Sequence, residues 1–324
     1  MSDGPAVVAL GGGHGLAASL RALRRVTDDV TAVVTVSDDG GSSGRLRREL
    51  AVLPPGDLRM ALAALCGDDE WGQTWSRVVQ HRFRSEGDLH DHAVGNLLIV
   101  ALWELLGDTV GGLDWVARLL GAHGRVLPMS LVPVDIEAVV EIDDVGSGAG
   151  GGVATVRGQV AVATTPGRVV QLGLVPDRPP ACPEAVTAVL EAEWVVLGPG
   201  SWYTSVIPHL LVPELAEALR STSARRVVVL NLAPQPGETA GFAPETHLEV
   251  LAAHDPRLPV DAVLADGDAV QDPDSLRSVA ASLGAEVHLA PLSSDGDPHV
   301  HDPDRLAAAF RHLFAPDRQP SDRI

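Results

Sequence analysis

Residues Thr35 to Arg59 read TVSDDGGSSGRLRRELAVLPPGDLR. They follow Val30–Val36, a short β-branched run with the character of a buried parallel strand, so Asp38 and Asp39 stand at a strand's carboxyl end. Open α/β sheets bind their ligands at that end. Gly40-Gly41 frees the backbone there, while Ser42, Ser43, Arg45 and Arg59 add hydroxyl and guanidinium groups. A binding loop is the economical reading, and a solvated turn ahead of a charged helix is the alternative. If the strand extends through both acids, successive side chains point to opposite faces and at most one of the pair faces a ligand; Asp38 is favoured as that contact.

Upstream, Ala6–Leu10 is a short apolar strand, followed by Gly11-Gly12-Gly13-His14-Gly15 and then by LAASLRALRRV with helical periodicity. Strand, glycine turn and helix together point backbone N–H groups at a phosphate. The third glycine of a dinucleotide fingerprint is missing, which argues against an ordinary NAD fold. His14 reads as an exposed loop residue or a ligand contact. Downstream, Ser43–Leu50 reads as a short helix, Pro54-Pro55-Gly56-Asp57 as a stop and restart with Asp57 as candidate N-cap, and Leu58–Cys66 and Trp75–Phe83 as helices. Arg59 would lie within reach of a phosphate or of Asp38 and Asp39. His92 and Asn96 share one face at the start of an apolar helix, but no third ligand at zinc-like spacing accompanies them or His90. Helix capping and ligand hydrogen bonding are expected there, and no metal site.

The middle of the chain is β-rich. Val126–Val140 and Val153–Val175 predict an antiparallel insertion over about 126–180, with VGSGAGGG as a hairpin tip. The strand Trp194–Leu197 then enters Gly198-Pro199-Gly200-Ser201-Trp202-Tyr203-Thr204-Ser205, and an apolar helix containing Pro208 is expected next. This second strand, small-residue loop and helix offers N–H groups and hydroxyls to an anion. Two such units are far more specific than one. Arg225–Leu230 is a strand ending in Asn231, and helices at Pro244–Ala253, Ser275–Leu283 and Asp304–Phe314 alternate with strands at Val260–Ala265 and Ala285–Ala290. The predicted fold class is α/β, with strands and helices alternating in one large domain or two smaller ones, and the tail at 315–324 is expected to fray.

A net charge of −19 argues against non-specific binding to nucleic acid or anionic membranes. All 24 basic residues are arginine, so lysine chemistry is excluded. An anion must be held by arginine, backbone N–H groups or a metal ion. The two cysteines, Cys66 and Cys182, form no redox or metal motif; MSDGPAVVAL lacks the basic and long apolar regions expected of a signal peptide, and no apolar run reaches membrane-spanning length without a charge or breaker. A cytoplasmic location is expected.

GGGHGL (11–16), SDDGGSSGRLR (37–47), PPGDLR (54–59), HAVGNLL (92–98), GPGSWYTSVIP (198–208) and QPGET (235–239) together resemble the bacterial gluconeogenesis factor family, YvcK, within the superfamily that also holds the 2-phospho-lactate transferase CofD. The resemblance covers nearly the whole chain. It implies a single domain with a Rossmann-like α/β fold, a three-layer sandwich with a mostly parallel sheet, together with binding of UDP-N-acetylglucosamine, a role in cell shape and growth on gluconeogenic carbon, and no established catalysis. Ligand contacts are implied within those motifs and the adjoining loop, at Gly11 to Gly15, Ser37, Asp38, Asp39, Ser42, Ser43, Arg45, Asp57, Arg59, His92, Asn96, Gly198, Gly200, Ser201, Tyr203, Thr204, Ser205, Asn231, Gln235, Glu238 and Thr239. His14, Met60 and Ala233-Pro234 depart from the family's usual residues. No cofactor is expected for binding; the transferase reading would bring Mg²⁺, a nucleotide-activated donor and a deazaflavin. Expected partners are a nucleotide sugar and, in a homodimer, a second copy of the chain.

Overall fold

The computed structural model describes residues 4–142, 152–165, 167–235 and 237–315. Most of the glycine-rich hairpin tip (145–151) and the tail beyond 315 lie outside the described residues. Ten strands follow in order: β1 (Val7–Gly11), β2 (Val30–Val34), β3 (Arg125–Pro128), β4 (Asp135–Ile142), β5 (Gly152–Arg157), β6 (Arg168–Val175), β7 (Trp194–Leu197), β8 (Arg225–Val229), β9 (Ala262–Asp266) and β10 (Glu286–Ala290).

Seven of them form one sheet in the order β10-β9-β8-β7-β1-β2-β3, with every neighbouring pair parallel. Their apolar, β-branched sequences suit a sheet covered on both faces. β1, β7 and β9 are buried at every residue. The helices Gly13–Leu23, Gly56–Ala64 and Pro303–Phe314 pack together on the sheet as one layer, and Pro183–Glu191 and Pro213–Ser221 pack together in the other. The chain winds outward from β1 through β2 to β3, returns to β7 beside β1, and winds outward again to β10. The strand order therefore reverses between β1 and β7, which opens a crevice at their carboxyl ends.

The remaining strands form the antiparallel sheet β5-β4-β6. In β4, Ile136, Ala138 and Val140 are buried and alternate with more exposed residues, the period of a sheet with one covered face. The insertion is shorter than 126–180, because β3 pairs with β2 and closes the large sheet. Val153–Val175 is interrupted as well, by a short helix at Gln159–Thr164. The expected helix through Pro208 is replaced by a π turn (Trp202–Val206), a 3₁₀ turn (Ile207–Leu211) and then an α-helix (Pro213–Ser221). Proline has no N–H to donate and clashes with the preceding turn, so it ends regular helix rather than continuing it.

Candidate functional site

A cavity of about 770 Å³ lies between the turn after β1 and the loop after β7. The helix Gly13–Leu23 begins in its wall with no side-chain cap, so the N–H groups of its first turn lack an intrahelical partner and carry the positive end of the helix dipole. Gly13, at φ +56°, begins that helix in the left-handed region. A Cβ at Gly15 would fall 2.2 Å from the Pro199 carbonyl oxygen, so glycine there lets the two turns touch. Ser19 Oγ donates to the Gly198 carbonyl (3.0 Å) and ties the helix to the second loop. Asn231 clamps that loop from the other side, accepting from the Gly200 N–H and donating to the Gly200 carbonyl, each at 2.9 Å. Gly12, Gly13, His14, Gly15, Gly200, Ser201, Ser205, Asn231 and Gln235 all line the cavity. Gly11 and Gly198 lie behind its wall, at the strand ends.

The three acids have different duties. Asp38 faces the cavity and accepts from the Gly40 N–H (3.0 Å), which sets the turn. Asp39 points away and accepts from the Val160 N–H (3.1 Å), capping the helix Gln159–Thr164 and fastening the insertion to the sheet. Asp57 is not an N-cap: the helix Gly56–Ala64 starts one residue earlier, with Pro55 at the cap position. Its carboxylate turns instead toward the first glycine turn, where the Gly13 N–H and the Thr35 hydroxyl (3.3 Å) donate to it. Burial, reinforced by the Asp38 carboxylate, pushes the Asp57 carboxyl up to about 7, against the pull of those two hydrogen bonds and of Arg59.

Ser42, His92 and Asn96 come together, but with one another. The Ser42 hydroxyl donates to His92 Nδ1 (3.0 Å) and accepts from Asn96 Nδ2 (3.0 Å) and the Ala93 N–H (3.4 Å). Burial and then Arg45 depress the His92 imidazolium, which suits an accepting, neutral ring. The network joins the starts of the helices Gly41–Leu50 and Val94–Leu106. Arg45 donates to the carbonyls of Asp88 (3.3 Å) and His90 (2.6 Å), so it braces a surface loop and lines neither the main cavity nor the small pocket beside it. Arg59, in contrast, is 5% exposed and lines that pocket, which shares Asp38, Asp57 and Met60 with the main cavity. Ser37 is buried beneath the loop.

The motif around Glu238 is also internal. Glu238 accepts from the Tyr203 N–H (3.1 Å) and the Thr204 hydroxyl (2.8 Å), and Thr239 Oγ1 accepts from the Gln235 N–H (2.8 Å). Tyr203, Thr204, Glu238 and Thr239 therefore hold the two loops together from behind and do not line the cavity. Burial raises the Glu238 carboxyl, opposed by these hydrogen bonds. Gln159, His299, Val300 and His301 line the cavity and were absent from the sequence reading. They arrive from the insertion and from the loop beyond β10, and no local pattern marks them. Burial pushes His301 down to about 4, so its ring is neutral at physiological pH. No group of three or more His, Cys, Asp or Glu among the described residues is arranged to hold a metal ion.

A doubly wound parallel sheet with two glycine turns meeting at its switch point defines a Rossmann-like α/β protein. Comparison with known proteins narrows that class. The pattern of the 2-phospho-L-lactate transferase CofD family matches residues 7–295. A "Putative gluconeogenesis factor" of Mycobacterium tuberculosis is 54% identical over 98% of this chain and 92% of its own length. The "Gluconeogenesis factor" of Bacillus subtilis is 35% identical over 84% of this chain and 82% of its own. A crystal structure of a UPF0052 family member from Bacillus halodurans superposes with a TM-score of 0.84 at 31% identity, covering 95% of this chain and 99% of that one. The chain belongs to the gluconeogenesis factor family, also known as YvcK or UPF0052, and carries a CofD-like domain.

Proposed function

We propose that this chain is a cytoplasmic regulatory protein that binds UDP-N-acetylglucosamine in the switch-point cavity and couples the supply of that envelope precursor to cell shape and gluconeogenic growth. The observation that carries the reading is the meeting of the uncapped start of helix Gly13–Leu23 with the Gly198–Ser205 loop on one cavity of about 770 Å³, a size that suits a nucleotide sugar. In a chain without lysine, and with no arginine lining this cavity, backbone N–H groups at a helix start can hold a diphosphate. Asp38 faces the same space and can accept hydrogen bonds from sugar hydroxyls or an acetamido N–H. Among the described residues no helix is long and apolar enough to cross a membrane.

The match to a transferase family, with Asp38 and Asp57 on one cavity, supports a second reading as a metal-assisted transferase. Two carboxylates do not make a complete site, although phosphate oxygens and water commonly fill the rest of a Mg²⁺ shell. Calorimetric titration with UDP-N-acetylglucosamine in excess EDTA, then in Mg²⁺, separates the two. Binding in EDTA that is lost in Asp38→Ala is expected. Binding that requires Mg²⁺, accompanied by turnover of a nucleotide-activated phospholactyl donor, would favour the transferase.

A further inference from the structure

Beside the main cavity lies a pocket of about 190 Å³, walled by Gly41, Ser42 and Ser43 on one side and by Arg59 and Arg82 on the other. Asp38, Asp57 and Met60 form the partition between the two spaces, since they line both. Three independent features converge on it.

The first is the start of the helix Gly41–Leu50, which has no side-chain cap. Its first intrahelical bond is the Gly44 N–H to the Gly40 carbonyl (2.7 Å), so the N–H groups of Gly41, Ser42 and Ser43 precede the helical ladder. The Ser42 hydroxyl does not cap them, because it is committed to His92 and Asn96. Gly41 has φ +44° and open space at its Cβ position, which leaves the mouth of the pocket clear.

The second is Arg59. At 5% exposure it is buried, yet its guanidinium makes no hydrogen bond or ion pair with any described residue, and its Nε is shielded from water without a partner. Asp57 and Asp38 attract it through space, while Arg82 and burial act against its charge. Its stem is held by close packing, because a Cβ at Gly95 would fall 2.8 Å from Arg59 Cγ. A side chain fixed so firmly, with a fork of unspent donors, has the form of an oxyanion receptor.

The third is the partition itself. A Cβ at Gly56 would lie 2.4 Å from Ser43 Oγ and 2.7 Å from Asp38 Oδ2, so glycine at 56 keeps this second space narrow and separate.

We propose that this pocket is a second oxyanion subsite, distinct from the diphosphate cradle at Gly13, and that it takes a tetrahedral phosphoryl group between Arg59, Arg82 and the N–H groups of Gly41 to Ser43. The group is either free inorganic phosphate or a phosphoryl carried by the main-cavity ligand across the partition.

The test uses inorganic phosphate as probe, titrated calorimetrically at constant ionic strength into the full chain. Saturable binding is expected in the wild type, about tenfold or more weaker in Arg59→Met and weaker by a smaller factor in Arg82→Ala. Arg45→Ala, whose guanidinium rests on two surface carbonyls, should bind phosphate as the wild type does. Thermal unfolding checks that Arg59→Met is folded; if it is not, the half-exposed Arg82 decides alone. A repeat with UDP-N-acetylglucosamine present identifies the source: joint binding indicates a separate phosphate, and mutual exclusion sensitive to Arg59 indicates a ligand-borne phosphoryl. Wild-type protein that binds no phosphate, or affinity unchanged in the arginine variants that fold, overturns the proposal. Failure of UDP-N-acetylglucosamine to bind would count against the main-cavity reading alone.

Discussion

The turn after β1 and the loop after β7 have similar compositions, glycine and small residues ahead of a helix, yet the structure employs them differently. The first presents more of its backbone: Asp57 takes the Gly13 N–H, while the following N–H groups of the helix Gly13–Leu23 have no intrahelical partner and border the cavity. The second turns its polar groups inward, because Glu238 takes the Tyr203 N–H and the Thr204 hydroxyl. What remains toward the cavity is Pro199 to Ser201 and Ser205. A loop's composition thus reports a tight turn. Which of its donors stay open is decided by a carboxylate some 35 residues further along the chain.

The contact between the two turns is the place to break this arrangement most severely. Gly15→Val would drive a branched side chain into the Pro199 carbonyl, 2.2 Å from the Cβ position, and no rotamer avoids a clash that begins at Cβ. A loss of about 4 kcal/mol or more, or no soluble protein, is expected in urea denaturation. Wild-type stability in this variant would refute the close approach.

Glu238→Ala acts on the second turn alone. It would leave the Tyr203 N–H and the buried Thr204 hydroxyl without their acceptor. A cost of about 2–4 kcal/mol is expected from the same measurement, with a smaller one in Glu238→Gln. If the alanine variant is neutral, the inward pairing is not what holds the loop.

Asp57 tests the first turn through pH. The native carboxyl keeps its proton up to about 7, whereas an unfolded one releases it near 3.8. Within that window the native state binds more protons than the unfolded state, so stability falls as pH rises, and the full penalty is present above about 7. Asp57→Asn removes the ionisation. It should gain about 1–3 kcal/mol relative to wild type at pH 8 compared with pH 4, read from unfolding curves at both. A pH-independent difference would show that Asp57 titrates normally.

Much of this was legible in the sequence because the signals were local. β-branched runs alternating with helical periods revealed the parallel sheet, and Gly11–Gly15 and Gly198–Ser205 marked the turns at its crest. Strand alternation would separate Asp38 from Asp39 only if the strand ran through both; β2 ends at Val34 and both acids lie in the loop beyond it, where the turn sends Asp38 to the cavity and Asp39 to the insertion. The missed features were non-local. Asp39 caps a helix that starts about 120 residues later, and that helix, QVAVAT, has strand-like residues and is held by its cap and packing. Val126–Val140 reads as one β-rich stretch of the insertion, but its first residues pair in parallel with β2 in the large sheet, and nothing within them names that partner. Arg45 and Arg59 stand fourteen residues apart in one basic stretch, and only the fold sends one to surface carbonyls and the other into a pocket.

The central claim is that the open backbone of the first turn holds an anionic nucleotide sugar. Gly13→Ala addresses it directly, because its Cβ would enter the cavity with only Asp57 Oδ1 nearby, at 3.9 Å, and alanine tolerates φ +56° at a cost of about 1 kcal/mol. Calorimetry with UDP-N-acetylglucosamine in EDTA should give one site per chain in the wild type and affinity about tenfold or more weaker in a folded Gly13→Ala protein. Equal affinity in the two proteins, or no binding by the wild type, would contradict it.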